Sequence, residues 1–136
     1  MGYYLNYLLD DVRIVTSGVG DVFEQLIKLN EDDVLIGISF ARYATRTIEG
    51  MELAKQHGAK VIAITDSEVS PLCKYADISM FAPSETTTFV DSLVSPLSLI
   101  NALIVAISIN KKSEVTNHLQ SLEKIWDQYA IYETRK

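Results

Sequence analysis

A single cysteine, Cys73, stands in a chain of 136 residues. That excludes an internal disulfide and any cysteine-built metal cluster, and it suits a reducing compartment; the lone thiol reads as a small core or helix residue. Basic residues are also few. Twelve Lys and Arg against 18 Asp and Glu leave a net charge of −6, so no basic excess matches the phosphates of a nucleic acid, and direct DNA binding by this chain is not expected. Long hydrophobic runs are missing as well. The richest, residues 97–109, is broken by Ser98, Asn101 and Ser108 and is shorter than the ~18 residues a membrane span requires, so it reads as a core or interface helix and no membrane partner is expected. The N-terminus carries neither a basic n-region nor a small-residue cleavage site, and a cytoplasmic location follows as the expectation. His57 and His118 have no carboxylate or cysteine at metal-ligand spacing, so neither metal nor cofactor is expected. No serine lies in G-x-S-x-G, which removes a hydrolase elbow.

What is present is hydrophobic content of 48%, enough for one domain spanning residues 1–136 to bury its own core. The chain is organised around residues 32–49, DDVLIGISFARYATRTIE. Val34, Leu35, Ile36 and Ile38 are β-favouring and apolar on both faces, the pattern of a central parallel strand. Before it, Tyr3, Tyr4, Leu5, Tyr7, Leu8 and Leu9 suggest a short helix ended by Asp10-Asp11. Val12, Ile14 and Val15 suggest a strand at about 12–16, and Asp21 or Gly20 can cap a helix carrying Val22, Phe23, Leu26, Ile27 and Leu29. After it, Ile48, Met51, Leu53 and Ala54 give a helix with Gly58 at its C′ position. KVIAIT (60–65) repeats the strand signature, Ser70-Pro71 opens a short helix to about Tyr75, and residues 77–81 form a third, weaker apolar run. A long helix over 89–109 holds Pro96 either in its first turn or at a kink. Val115, Leu119, Leu122, Trp126 and Tyr129 step by four and three in an amphipathic helix over 113–131. This alternation predicts an α/β fold with a mostly parallel, doubly wound sheet.

Two polar loops then fall at strand carboxyl ends, where open α/β sheets bind ligands. The first offers Ser39, Arg42, Thr45 and Thr47 beside a helix N-terminus, a set able to hold a phosphate; the same residues also suffice for plain helix initiation with a solvated Arg42. It has no glycine, which excludes a P-loop cradle. The second, Thr65-Asp66-Ser67, can hydrogen-bond sugar hydroxyls or simply form an Asx-type turn. Glu85 is a conceivable base, though a lone loop glutamate is usually just solvated; no catalytic residue is assigned.

Over ISFARYATRTIEGMELAKQHGAKVIAITDSEVSPLCKYADI the chain resembles the sugar isomerase (SIS) domain found at the C-terminal end of RpiR-type bacterial transcriptional regulators. The likeness runs over about residues 10–106. The resemblance implies a three-layer, flavodoxin-like sandwich that binds a phosphosugar, and in the regulators a sensor and dimerisation unit behind an N-terminal helix-turn-helix domain. Ser39 matches the first serine of the family's S-x-S-G-x-T phosphate loop. Ala41 stands at its second serine, Arg42 at its glycine and Ala44 at its threonine, and the run Ser39–Phe40–Ala41–Arg42–Tyr43 is similar to an S-F-x-R-Y variant among RpiR-like proteins. Arg42, with Thr45, is therefore expected to supply charge in place of the lost hydroxyls, and Tyr43 is counted among the ligand-binding residues. The family's first strand, its glycine/serine-rich turn and the helix-turn-helix domain have no counterpart in these residues. An N-terminally truncated sheet, association through its bare edge or the long helix, and contact with DNA only through the absent domain are the expectations that follow. Three functions stay open: a phosphosugar sensor without turnover acting as a homodimer or tetramer, a phosphosugar isomerase or lyase, and a dimerisation module with a vestigial ligand site.

Overall fold

The computed structural model describes residues 1–16, 18, 20–84 and 92–132, apart from the side chain of residue 114. The chain divides into two compact units, Ile14–Leu99 and a second made of Met1–Arg13 with Ile100–Lys136, and the division falls inside a helix.

In the first unit Asp21 caps helix α2 (Val22–Leu26), its Oδ1 accepting the Phe23 amide at 2.9 Å. Strand β1 (Val34–Ile38), helix α3 (Thr45–Gln56), strand β2 (Lys60–Thr65), a 3-10 turn (Pro71–Lys74) and strand β3 (Ile78–Phe81) follow. Both strand pairings are parallel in the order β1-β2-β3, with Val34 beside Lys60 and Ile62 beside Ile78. This is the expected α/β architecture with a parallel sheet. Helix α3 packs on β1 and β2. Met51 and Ala54 of the helix meet Val61 and Ala63 of β2 and Leu72 of the 3-10 turn in a fully buried cluster. Gly37 allows this approach, since a Cβ there would lie 2.3 Å from Met51 Sδ. Gly58, at φ 83°, follows the α3 C-cap as predicted.

Two expectations are corrected. The central strand is β2, whose residues after Lys60 are almost all buried; β1 is an edge among the described strands, with Val34 58% exposed. Apolar residues on both faces mark hydrophobic surface, not the number of neighbours. Residues 12–16 form no strand, and Ile14 is 60% exposed; β-favouring residues make a strand only when a ladder partner is available, and none pairs with them among the described residues.

In the second unit α1 is a single short helix, Gly2–Leu5, continued by turns that carry Leu9 N–H back to the Leu5 carbonyl at 2.9 Å. Helix α4 spans Val94–Asn110, with Pro96 in its first turn and only its residues from Ile100 onward in this unit, and α5 spans Lys112–Gln128. The predicted start of α4 at Phe89 lies outside the described residues. Tyr7 stands edge-on to Tyr3 and to His118 of α5. No single helix among the described residues is long and apolar enough to cross a membrane.

Candidate functional site

The two loops meet at the carboxyl edge of β1 and β2. Ser39 N–H continues the ladder by donating to the Ile64 carbonyl at 3.2 Å, while Ser39 Oγ accepts the Ala44 amide at 2.9 Å. The buried serine thus closes the loop over residues 40–43 immediately before α3, whose N-cap Ala44 has only a methyl and gives no side-chain cap. Its hydroxyl proton remains available to donate outward. The loop turns at Arg42, whose φ of 65° lies in the left-handed region. Such a conformation costs a non-glycine residue about 1–2 kcal/mol, and the position is the one where the resemblance puts a glycine. Arg42 is exposed.

Tyr43 packs against the core cluster and its O–H donates to Asp66 Oδ2 at 3.1 Å, tying the first loop to the second. Burial and then the hydrogen bond to Asp66 raise the tyrosine pKa, with the Ser67 and Ser70 hydroxyls acting the other way, so Tyr43 stays a donor at neutral pH. Asp66 Oδ1 lies 3.0 Å from Thr65 Oγ1, which lies 2.7 Å from Ser70 Oγ. A carboxylate only accepts and the threonine has one proton. That proton therefore goes to Asp66, and the Ser70 hydroxyl supplies the proton of its contact with Thr65. Ser70 in turn caps the 3-10 turn by accepting the Leu72 amide. Thr65 and Ser70 are buried, Asp66 and Ser67 half-buried.

Of the residues singled out from sequence, Tyr43, Thr65 and Asp66 fall into one hydrogen-bonded assembly, with Ser67 beside Asp66 in the same loop; Ser39 is bound separately, to the Ala44 amide and the Ile64 carbonyl. Thr45 and Thr47 occupy the first turn of α3, where Thr47 N–H donates to the Ala44 carbonyl at 3.0 Å. Arg46 turns to the protein itself, reaching Asp21 at 3.7 Å, Glu49 at 3.5 Å and the face of Phe23. Ser70 was read only as a helix start; its place in the Thr65–Asp66 chain was missed, although a Ser-Pro step five residues past a strand-end threonine was the available signal. Glu85 lies outside the described residues. His57 is the C-cap of α3, and no group of three or more His, Cys, Asp or Glu among the described residues could hold a metal. An open hollow lined by Ile109, Asn110, Lys112 and Thr116 lies in the second unit; none of these lining residues is a site candidate from the sequence.

The edge therefore gathers the Ser39 hydroxyl, the exposed Arg42 and the start of α3 on one side and the Asp66 carboxylate on the other. Sequence comparison matches the SIS domain over residues 1–106. The chain belongs to the SIS domain family. An HTH-type transcriptional regulator of Caldanaerobacter subterraneus is 30% identical over 121 residues, covering 84% of this chain and 43% of that protein. The HTH-type transcriptional regulator RpiR of Escherichia coli is 27% identical over 106 residues, covering 75% of this chain and 36% of that protein. The chain thus spans less than half the length of these curated relatives. Among solved structures, the sugar isomerase domain of an RpiR transcription factor from Sphaerobacter thermophilus superposes with a TM-score of 0.83 at 27% identity, over 90% of this chain and 69% of that one. The NanR protein of Vibrio vulnificus, solved in complex with ManNAc-6P, shares the fold at a TM-score of 0.75 and 16% identity, over 94% of this chain and 49% of that one. As an SIS domain, this chain is kin to RpiR-type regulators.

Proposed function

We propose that this SIS domain is the effector-binding and dimerisation part of a bacterial transcriptional regulator, sensing a phosphorylated sugar in the cytoplasm without turning it over. The observation that carries the reading is the tie from Tyr43 to Asp66. It joins a loop of anion-binding character to a loop of sugar-binding character at the edge where open α/β sheets take ligands. Ser39, Arg42, Thr45 and Thr47 form the phosphate side, and Thr65, Asp66 and Ser67 the sugar side. The regulators among its relatives and the ManNAc-6P held by the NanR protein support this choice. Exposed apolar residues of α4 and α5, among them Leu97, Val105, Ile109 and Leu119, support association of two copies. In that arrangement ligand shifts the geometry of the pair and, through it, a DNA-binding domain.

An isomerase needs an acid and a base placed for proton transfer, and among the described residues the hydrogen-bond partners of Asp66 are the hydroxyls of Thr65 and Tyr43, not a second carboxylate or an imidazole. The test is thermal unfolding in phosphate-free buffer against hexose, pentose and amino-sugar phosphates, each beside its unphosphorylated sugar, with product analysis of every mixture. A ligand at about 100 times its Kd adds about 2.7 kcal/mol to the folded state. A midpoint rise of several degrees confined to one or two phosphosugars, with no product formed, is the expected result; turnover establishes an enzyme, and a flat panel leaves a dimerisation module with a vestigial site.

A further inference from the structure

The charge and hydrogen-bond capacity of Asp66 go further than the phosphosugar reading, on which this step rests. Both carboxylate oxygens already accept one hydrogen bond, Oδ1 from Thr65 and Oδ2 from Tyr43, so the group is fixed in direction and has lone pairs to spare but no proton. Its position is tied to the phosphate side twice: the Ser39 amide is bound to the Ile64 carbonyl, two residues before Asp66, and Tyr43 is itself part of the phosphate loop. A sugar whose phosphate sits at Ser39 and Arg42 therefore extends its far end over a carboxylate that can only accept.

We infer that Asp66 is a selectivity residue that admits phosphorylated sugars ending in hydroxyl or amino groups and rejects phosphorylated sugar acids. A hydroxyl or ammonium donates to the spare lone pairs of Asp66. A carboxylate brings no proton and the same charge, and discrimination by an unpaired like charge is the negative half of specificity. The tyrosine tie strengthens the effect by holding the carboxylate in place instead of letting it swing away. Nothing else in the second loop compensates, since Thr65, Ser67 and Ser70 bring hydroxyls and no positive charge.

The experiment is calorimetric titration with two matched pairs, glucose 6-phosphate against 6-phosphogluconate and ribose 5-phosphate against 5-phosphoribonate, with inorganic phosphate as the common reference. In each pair that binds, the wild-type chain is expected to prefer the aldose phosphate by about tenfold or more, a factor that corresponds to about 1.4 kcal/mol. Asp66→Asn keeps one acceptor oxygen, enough for Thr65 or Tyr43 but not both, and puts an amide donor in place of the other, so the preference falls to within about threefold while the affinity for inorganic phosphate stays unchanged. Tyr43→Phe retains the carboxylate but releases it to swing, so the preference keeps its sign and shrinks; a preference of undiminished size in this variant counts against the inference, which keeps the test decisive if the first variant folds poorly. Equal binding of sugar acid and aldose phosphates by the wild type, or an unaltered ratio in Asp66→Asn, overturns the inference and leaves the phosphosugar reading standing. If neither inorganic phosphate nor any sugar phosphate binds the wild type, the phosphosugar reading fails and this one with it.

Discussion

The loops that leave β1 and β2 stand on the same edge of the sheet and are held there by different means. The second rests on buried hydroxyls, Thr65 and Ser70, and on Leu72, which is wholly inside the core. The first is closed by Ser39 on the Ala44 amide, is tied to the second by Tyr43 on Asp66, and turns through a left-handed arginine. The second loop is thus part of what keeps the domain folded, whereas the first carries backbone strain, which persists where the surroundings enforce it and clusters at ligand sites. The expected consequence is a division of labour: changes in the second loop register first in stability, and changes in the first register in ligand binding.

The largest break in that contrast is Leu72→Ala. Emptying a fully buried leucine position costs about 2–5 kcal/mol, and chemical denaturation is expected to show the loss with no comparable effect from any single change in the exposed part of the first loop. Next is Ser70→Ala, which leaves the Leu72 amide and one side of Thr65 unsatisfied in a buried setting, at about 1–3 kcal/mol. Arg42→Gly should sharpen the contrast by its sign. Glycine takes the left-handed conformation freely, at some entropic cost in the unfolded chain, so a net gain of about 0.5–1 kcal/mol in stability is expected. Affinity for phosphate should weaken in the same protein, and a variant that gains stability and keeps its affinity would deny Arg42 its role.

The smallest effect lies at the other end of the sheet. Asp77 accepts from Lys55 and from the Val61 amide, and its pKa is lowered by the Lys55 contact first and the amide second. A carboxylate with a lowered folded-state pKa contributes stability that is present above the ordinary aspartate range near about pH 4 and is lost as pH falls through the folded value. Wild type is therefore expected to lose stability on acidification below about pH 4 more steeply than Asp77→Asn, and the two should bind phosphosugar alike at neutral pH.

Much of this was legible in the residues. The three strands, the capping of α2 by Asp21, the glycine ending α3 and the Ser-Pro start of the 3-10 turn all follow from local rules, because each depends on groups a few positions apart. The order of strands was not legible. Val34 and Ile36 look as buried as Val61 and Ile64 in composition, and only the pairing of β3 onto β2, anchored by the Asp77 amide on the Val61 carbonyl at 2.7 Å, decides which strand is central. For the candidate site, sequence named both loops but not their bond. Tyr43 and Asp66 are 23 positions apart, and no local pattern reports a contact made by parallel packing of two strands. Ser70 was passed over for the same reason, since its capping role is local and its contact with Thr65 is not.

Ligand binding at this edge is tested most directly by an amide chemical-shift titration with a phosphosugar identified by thermal unfolding. The prediction is that the largest perturbations fall on Ala44, Thr45, Arg46 and Thr47 at the start of α3 and on Asp66 and Ser67 after β2, with the same set moved in part by inorganic phosphate on the α3 side alone. Perturbations centred instead on Ile109–Asn110 and Lys112–Asn117 of the second unit, with the sheet edge unmoved, would contradict it.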